Sequence, residues 1–151
     1  ASGFHITPFG VPHDSSDNVG YSIEYEGVVF TLLTDVGHIT EEMKAIIRNT
    51  DYLVIEANYD LQMLQNGPYP RHLQERIQCG TGHLSNAQCG AALVENYTER
   101  LKHIWLCHLS EENNHPELAR KSIEQALSDA GIKVKLDVLR RKQPTGVFEL
   151  V

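Results

Sequence analysis

Apolar positions in this chain follow two rhythms. Short runs rich in β-branched and aromatic residues read as strands over residues 6–9, 21–25, 28–34, 52–56, 103–107, 134–139 and 147–151. Gly27 supplies the tight turn between the second and third of these. Helices are expected between them. Thr40 is placed to cap a helix whose first turn carries Glu41 and Glu42, acids suited to the positive end of the helix dipole. Its apolar positions Met43, Ile46 and Ile47 share one face. A polar helical stretch over 59–65 ends at Gly67-Pro68, and Pro70 suits the first turn of another helix running through Leu73 to Ile77. Ser85 and Gln88 form a capping-box pair for a helix over 86–99. Pro116 opens the last helix and Gly131 stops it. Strands alternating with helices imply sheet and helix layers, an α/β fold.

Length and composition narrow the class. At 151 residues, 41% of them hydrophobic, the chain holds enough apolar matter for one core, and no linker or repeat divides it. No apolar run is long enough to span a bilayer, and the first residues lack the basic and apolar regions of a signal peptide. A net charge of −7 argues against broad, charge-driven binding of phosphate backbones, although metal ions can supply positive charge at a single phosphate. Cys79, Cys89 and Cys107 lack metal-finger spacing. They read as reduced thiols of a cytoplasmic protein, and as small buried hydrophobes.

Eight histidines need a location before they need an explanation. Four segments concentrate the chemistry: Pro12-His13-Asp14, Thr34-Asp35-Val36-Gly37-His38, Gly82-His83-Leu84-Ser85-Asn86 and Cys107-His108-Leu109-Ser110. Neutral imidazole and carboxylate are the usual ligands of zinc and similar ions. Asp35, Glu56 and His108 each follow a strand-like run, at the edge where layered α/β folds hold ligands. Each residue alone also has a plainer reading. Asp35 suits a cap for the Val36-Gly37 turn, His83 suits stacking at a helix start, and a histidine after a strand is commonly solvent-facing.

Taken in order, these motifs and Glu56-Ala57-Asn58 resemble the downstream half of the metallo-β-lactamase superfamily. More narrowly, the chain is similar to the YycJ/WalJ/VicX branch. Asp17-Asn18-Val19-Gly20-Tyr21, Gly67-Pro68-Tyr69-Pro70 and His108-Leu109-Ser110-Glu111-Glu112-Asn113-Asn114 carry that likeness. The resemblance implies that residues 1–151 form a single unit, the C-terminal half of a four-layer αββα sandwich. The superfamily's upstream His-x-His-x-Asp-His is absent from this sequence, so the expected partner is the missing N-terminal half of the same domain. The resemblance also implies two divalent metal ions, zinc or manganese. His13 matches a ligand of the first ion, Asp35 the bridging aspartate, and His108 a ligand of the second. His83 matches a histidine that contacts the phosphate or protonates the leaving group, and Asp14 receives no metal.

The activity implied is metal-dependent phosphodiester hydrolysis of nucleic acid, of the DNA exonuclease kind. Alternatives are hydrolysis of a small ester, lactone or thioester, or a non-catalytic regulatory half-domain. Half a sandwich should also leave one sheet face apolar and open.

Overall fold

The computed structural model describes residues 3–151. Its six strands lie side by side in chain order: β1 (His5–Gly10), β2 (Val19–Tyr25), β3 (Val28–Leu33), β4 (Tyr52–Glu56), β5 (His103–Cys107) and β6 (Lys135–Val138). The β1–β2 and β2–β3 pairs are antiparallel and the remaining pairs parallel. The change of direction follows from the connections. β2 and β3 join through Glu26 and Gly27, both at positive φ (50° and 80°), the tight turn that matches strand twist. The parallel strands need crossovers, which α1 (Glu41–Arg48), then α2 (Leu61–Asn66), α3 (Arg71–Gln78) and α4 (Asn86–Asn96), and finally α5 (Pro116–Asp129) provide.

Strand register decides which side chains meet these helices. Leu33, Leu53, Ile55, Ile104 and Leu106 form one buried face with Met43 and Ile47 of α1, Leu93 of α4, and Ile123 and Leu127 of α5. Every residue of β4 and β5 is buried, as expected for parallel strands covered on both sides. The second face carries Phe30, Leu32, Tyr52, Val54 and Trp105. Over β4 and β5 it is covered by the C-terminal residues: Phe148 meets Trp105 edge-on with ring centroids 5.0 Å apart. Over β1 and β2 it is open, with Ile6 58% and Tyr21 39% exposed. The open apolar face expected from sequence is therefore present, but confined to the antiparallel end.

Several boundaries shift by one or two residues, β2 for instance starting at Val19, and three departures have a visible cause. Residues 147–151 form no strand. The alternation there is satisfied by draping across the sheet, where the Val151 N–H and carbonyl both pair with the Tyr52 hydroxyl. α4 ends at Asn96, because Tyr97 turns extended and the Thr98 hydroxyl donates to the Arg48 carbonyl. α2 begins at Leu61, because Asp60 caps it while Tyr59 is drawn into a bridge with Ser85. The Ser85–Gln88 capping box and the Thr40 cap form as read. Among the described residues no helix is long and apolar enough to cross a membrane.

Candidate metal centre

The C-terminal ends of β3, β4 and β5 lie together because these strands are parallel and in register. They deliver Asp35, Glu56 and His108 to one edge of the sheet. Two loops complete the site: the β1–β2 connection with His13, and the segment before α4 with His83. Glycine makes the convergence possible. A side chain at Gly37 would sit 2.3 Å from the Gly80 carbonyl oxygen, and one at Gly82 would sit 2.2 Å from that of Ile77. The Gly37 N–H donates to the Pro12 carbonyl at 2.7 Å, tying the Asp35 loop to the His13 loop. The glycines of the two motifs are thus explained by backbone approaching backbone.

Each histidine is oriented by an acceptor at Nδ1. His13 Nδ1 lies 2.9 Å from the Gly82 carbonyl oxygen. His83 Nδ1 and His108 Nδ1 each lie 2.9 Å from Glu56, the first on Oε1 and the second on Oε2. A carbonyl or carboxylate oxygen only accepts, so Nδ1 carries a hydrogen, and in the neutral ring Nε2 keeps its lone pair. His13, Asp35, His83 and His108 line a single cavity. Ring centroids are 4.9 Å apart for His13 and His83, and 5.3 Å for His83 and His108. Asp35 Oδ1 stands 3.7 Å from His13 Nε2 and 3.5 Å from His108 Nδ1.

Glu56 is the residue whose importance the sequence understated. It was visible as a carboxylate ending an apolar strand, with no role attached. It is fully buried, and its oxygens also accept the Leu84 N–H at 3.0 Å and the Val36 N–H at 3.3 Å. Burial pushes its carboxyl up, but the hydrogen bonds from His108 and His83 outweigh that, so it lies below the usual carboxylate value and is ionised. The same bond from Glu56 raises His108, against the opposing effect of burial. Ligand atoms of Asp35, Glu56, His83 and His108 lie within 4.8 Å of one another, a group able to hold a metal ion. Both Glu56 oxygens already serve four donors, so its geometry suits orienting the rings around an ion.

Asp14 lines the same cavity, with its Oδ1 3.5 Å from His13 Nε2. Its Oδ2 is taken by Arg76 Nε, and this bond holds the exposed carboxyl below its ordinary value. Of the remaining histidines, His115 accepts the Glu117 N–H as the cap of α5, and His103 is buried in the sheet. Cys89 and Cys107 are buried as expected, but Cys79 is exposed.

A mixed sheet backed by helices gathers histidines and carboxylates at the ends of its parallel strands, an arrangement able to hold a metal ion. The chain belongs to the β-lactamase superfamily domain family, whose model matches residues 1–104. It is 36% identical over 129 residues to exodeoxyribonuclease YycJ of Bacillus anthracis, covering 85% of this chain and 49% of that protein. It is 39% identical over 132 residues to exodeoxyribonuclease WalJ of Streptococcus pneumoniae, covering 87% and 49%. Among solved structures, the metallo-β-lactamase fold protein YhfI of Bacillus subtilis superposes with a TM-score of 0.65 at 16% identity, over 93% of this chain and 48% of that one. The chain therefore carries about half of a metallo-β-lactamase fold, and spans about half the length of the curated relatives it matches.

Proposed function

We propose that this chain is the C-terminal part of a metal-dependent hydrolase that cleaves phosphodiester bonds of nucleic acid, DNA first among them. The observation that carries the reading is the convergence of His13, His83 and His108 with Asp35 on one cavity, each ring oriented through its Nδ1. Neutral imidazoles beside a carboxylate fit zinc or manganese. His13 and Asp35 would hold one divalent ion and Asp35 and His108 a second. Residues outside this sequence would complete both sets in a protein of the relatives' full length. Such ions supply Lewis acidity and a water acidic enough to attack phosphorus at neutral pH.

The chain's own residues do the rest. Glu56 fixes the rings of His83 and His108 through their Nδ1 hydrogens, so neither can turn its lone pair away from the cavity. His83 presents Nε2 to the cavity, where it would first take up a proton from solvent and then, as imidazolium, give that proton to the departing oxygen. The names of the relatives favour a DNA substrate, and the charge of −7 supports local rather than field-driven contact with it.

The test uses the full-length protein with end-labelled DNA and, in parallel, a lactone. Metal-dependent DNA cleavage is expected, lost with bound metal in Asp35→Ala and slowed at near-normal metal content in His83→Ala. Wild-type turnover by Asp35→Ala would end the bridging role. Loss of metal in His83→Ala would make that residue a ligand, and lactone hydrolysis without DNA cleavage would overturn the substrate.

A further inference from the structure

His13, His83 and His108 line a cleft of about 1410 Å³. Sites for small molecules occupy about 300–1,000 Å³, so this one suits an extended substrate. Two lips of residues contribute to its lining. One consists of Tyr69 with Leu73 and Arg76 of α3, and the other of Arg140, Arg141 and Lys142, beyond β6.

The first lip is built from a helix that gives nothing to the core. α3 is amphipathic, yet none of its residues is buried, and Leu73 borders the cleft half-covered. Tyr69 is positioned beside it by the Gln74 side-chain amide, which donates to the Tyr69 carbonyl at 2.8 Å. Apolar side chains and an aromatic ring facing a solvent-filled cleft are surface for a ligand.

The second lip is three successive cations in a chain of net charge −7. Arg141 donates to the carbonyl of Leu109, the residue after His108, which docks this lip beside the site. Lys142 Nζ lies 3.0 Å from Glu111, and Arg76 of the first lip spends its Nε on Asp14. Each cation is thereby anchored while keeping donors free, since a guanidinium has five N–H groups and an ammonium three. Glu112 and Glu117 also border the cleft, so it is no uniform basic field of the kind that gathers duplex. Point contacts to phosphates with an aromatic platform between them are how proteins grip a single strand.

We propose that this cleft is the channel for one nucleic-acid strand, with Tyr69 stacking on a base while Arg76 on one lip, and Arg140, Arg141 and Lys142 on the other, hold phosphates leading to the histidines. The proposal rests on the phosphodiesterase reading and adds where the strand runs.

The experiment is fluorescence anisotropy of a labelled oligothymidylate of about twelve nucleotides, titrated with full-length protein in chelator so that nothing is cut. Tyr69→Ala should weaken binding roughly 5- to 100-fold, whereas Tyr69→Phe, which keeps the ring, should stay near wild type. Arg76→Gln, and the triple change of Arg140, Arg141 and Lys142 to Gln, should each weaken binding. Each should also flatten its salt dependence by about 0.7 in log–log slope per lost phosphate contact. Lys133→Gln, exposed near β6 and away from the cleft, should bind as wild type. Normal binding by the lip variants would overturn the channel and leave the hydrolase reading standing, as would preference for duplex. No strand binding by a protein that still cleaves DNA would likewise overturn the channel alone. Neither binding nor metal-dependent cleavage would overturn the functional reading beneath it.

Discussion

Asp35 and His108 share a backbone conformation that residues other than glycine seldom adopt, with φ of 55° and 53°, and each surrenders its carbonyl to an asparagine side chain. Asn18 Nδ2 donates to the Asp35 carbonyl and Asn58 Nδ2 to the His108 carbonyl, both at 2.8 Å. A left-handed residue with a Cβ costs roughly 1–2 kcal/mol, so something must hold it there. The conformation turns each chain sharply out of its strand and sets the two side chains together, His108 Nδ1 3.5 Å from Asp35 Oδ1.

Asn58→Ala should therefore cost more than an ordinary surface change. It removes the donor from a buried position, leaving a carbonyl unpaired, at about 1–2 kcal/mol of stability. Losing the restraint on His108 should lower metal affinity about 10- to 100-fold. Asn58→Asp should be worse, because it sets a carboxylate against the His108 carbonyl. Competition titration with a zinc indicator on the full-length protein checks this, and unchanged affinity in both variants would remove Asn58 from the site.

Glu56→Gln keeps the shape but replaces one accepting oxygen with a donor. One histidine then faces an N–H instead of an acceptor and loses its fixed tautomer. Metal affinity should fall about 10- to 100-fold, and the gain in melting temperature on adding metal should shrink with it. A variant with wild-type metal-dependent stabilisation would show that the buried carboxylate serves packing alone.

His103 gives the fold a pH dependence away from the metal centre. Burial disfavours its imidazolium and lowers its value, against the bond from Nε2 to Asp137 at 2.8 Å. The unfolded chain, with an ordinary value near about 6.5, then binds more protons within that window. Stability should fall as pH drops from about 6.5 to the folded value, and be level in this contribution outside it. Trp105, the single tryptophan, stacks on His103 with ring centroids 3.8 Å apart, so its emission reports the same titration. His103→Gln should remove both effects, and an identical pH profile in that variant would refute the assignment.

The thiols should divide cleanly. Cys107 is pushed up to about 12 and Cys89 is pushed up as well, both by burial, whereas a hydrogen bond with Thr81 lowers the exposed Cys79. Of these three, only Cys79 should react quickly with an aromatic disulfide at pH 8, as located by peptide mass. Fast labelling of Cys107 would mean that the β5 end opens readily to solvent.

Much of this architecture is local and so was legible. The Thr40 cap, the Ser85–Gln88 box, the Pro116 start and the turn at Gly27 act within a few residues, where sequence and geometry are nearly the same information. The motifs around His13, Asp35, His83 and His108 were legible as chemistry, and the parallel strand ends together with two loops bring those four residues to one cavity. The reading of residues 147–151 as a strand went astray because alternation reports a half-buried extended segment and cannot say whether its backbone finds a neighbour.

What the sequence determined by itself was the order of elements and the residue types available for a metal. Only the tertiary structure decided that Glu56 orients two of the histidines and that Asn18 and Asn58 restrain the two bent strand ends. It alone brought α3 and the cations that follow β6 to one cavity. The hydrogen bonds among them join positions 17 to 52 residues apart. No periodicity spans such a distance, because it is packing of strands in register, rather than any neighbouring residue, that brings the partners within reach of a hydrogen bond.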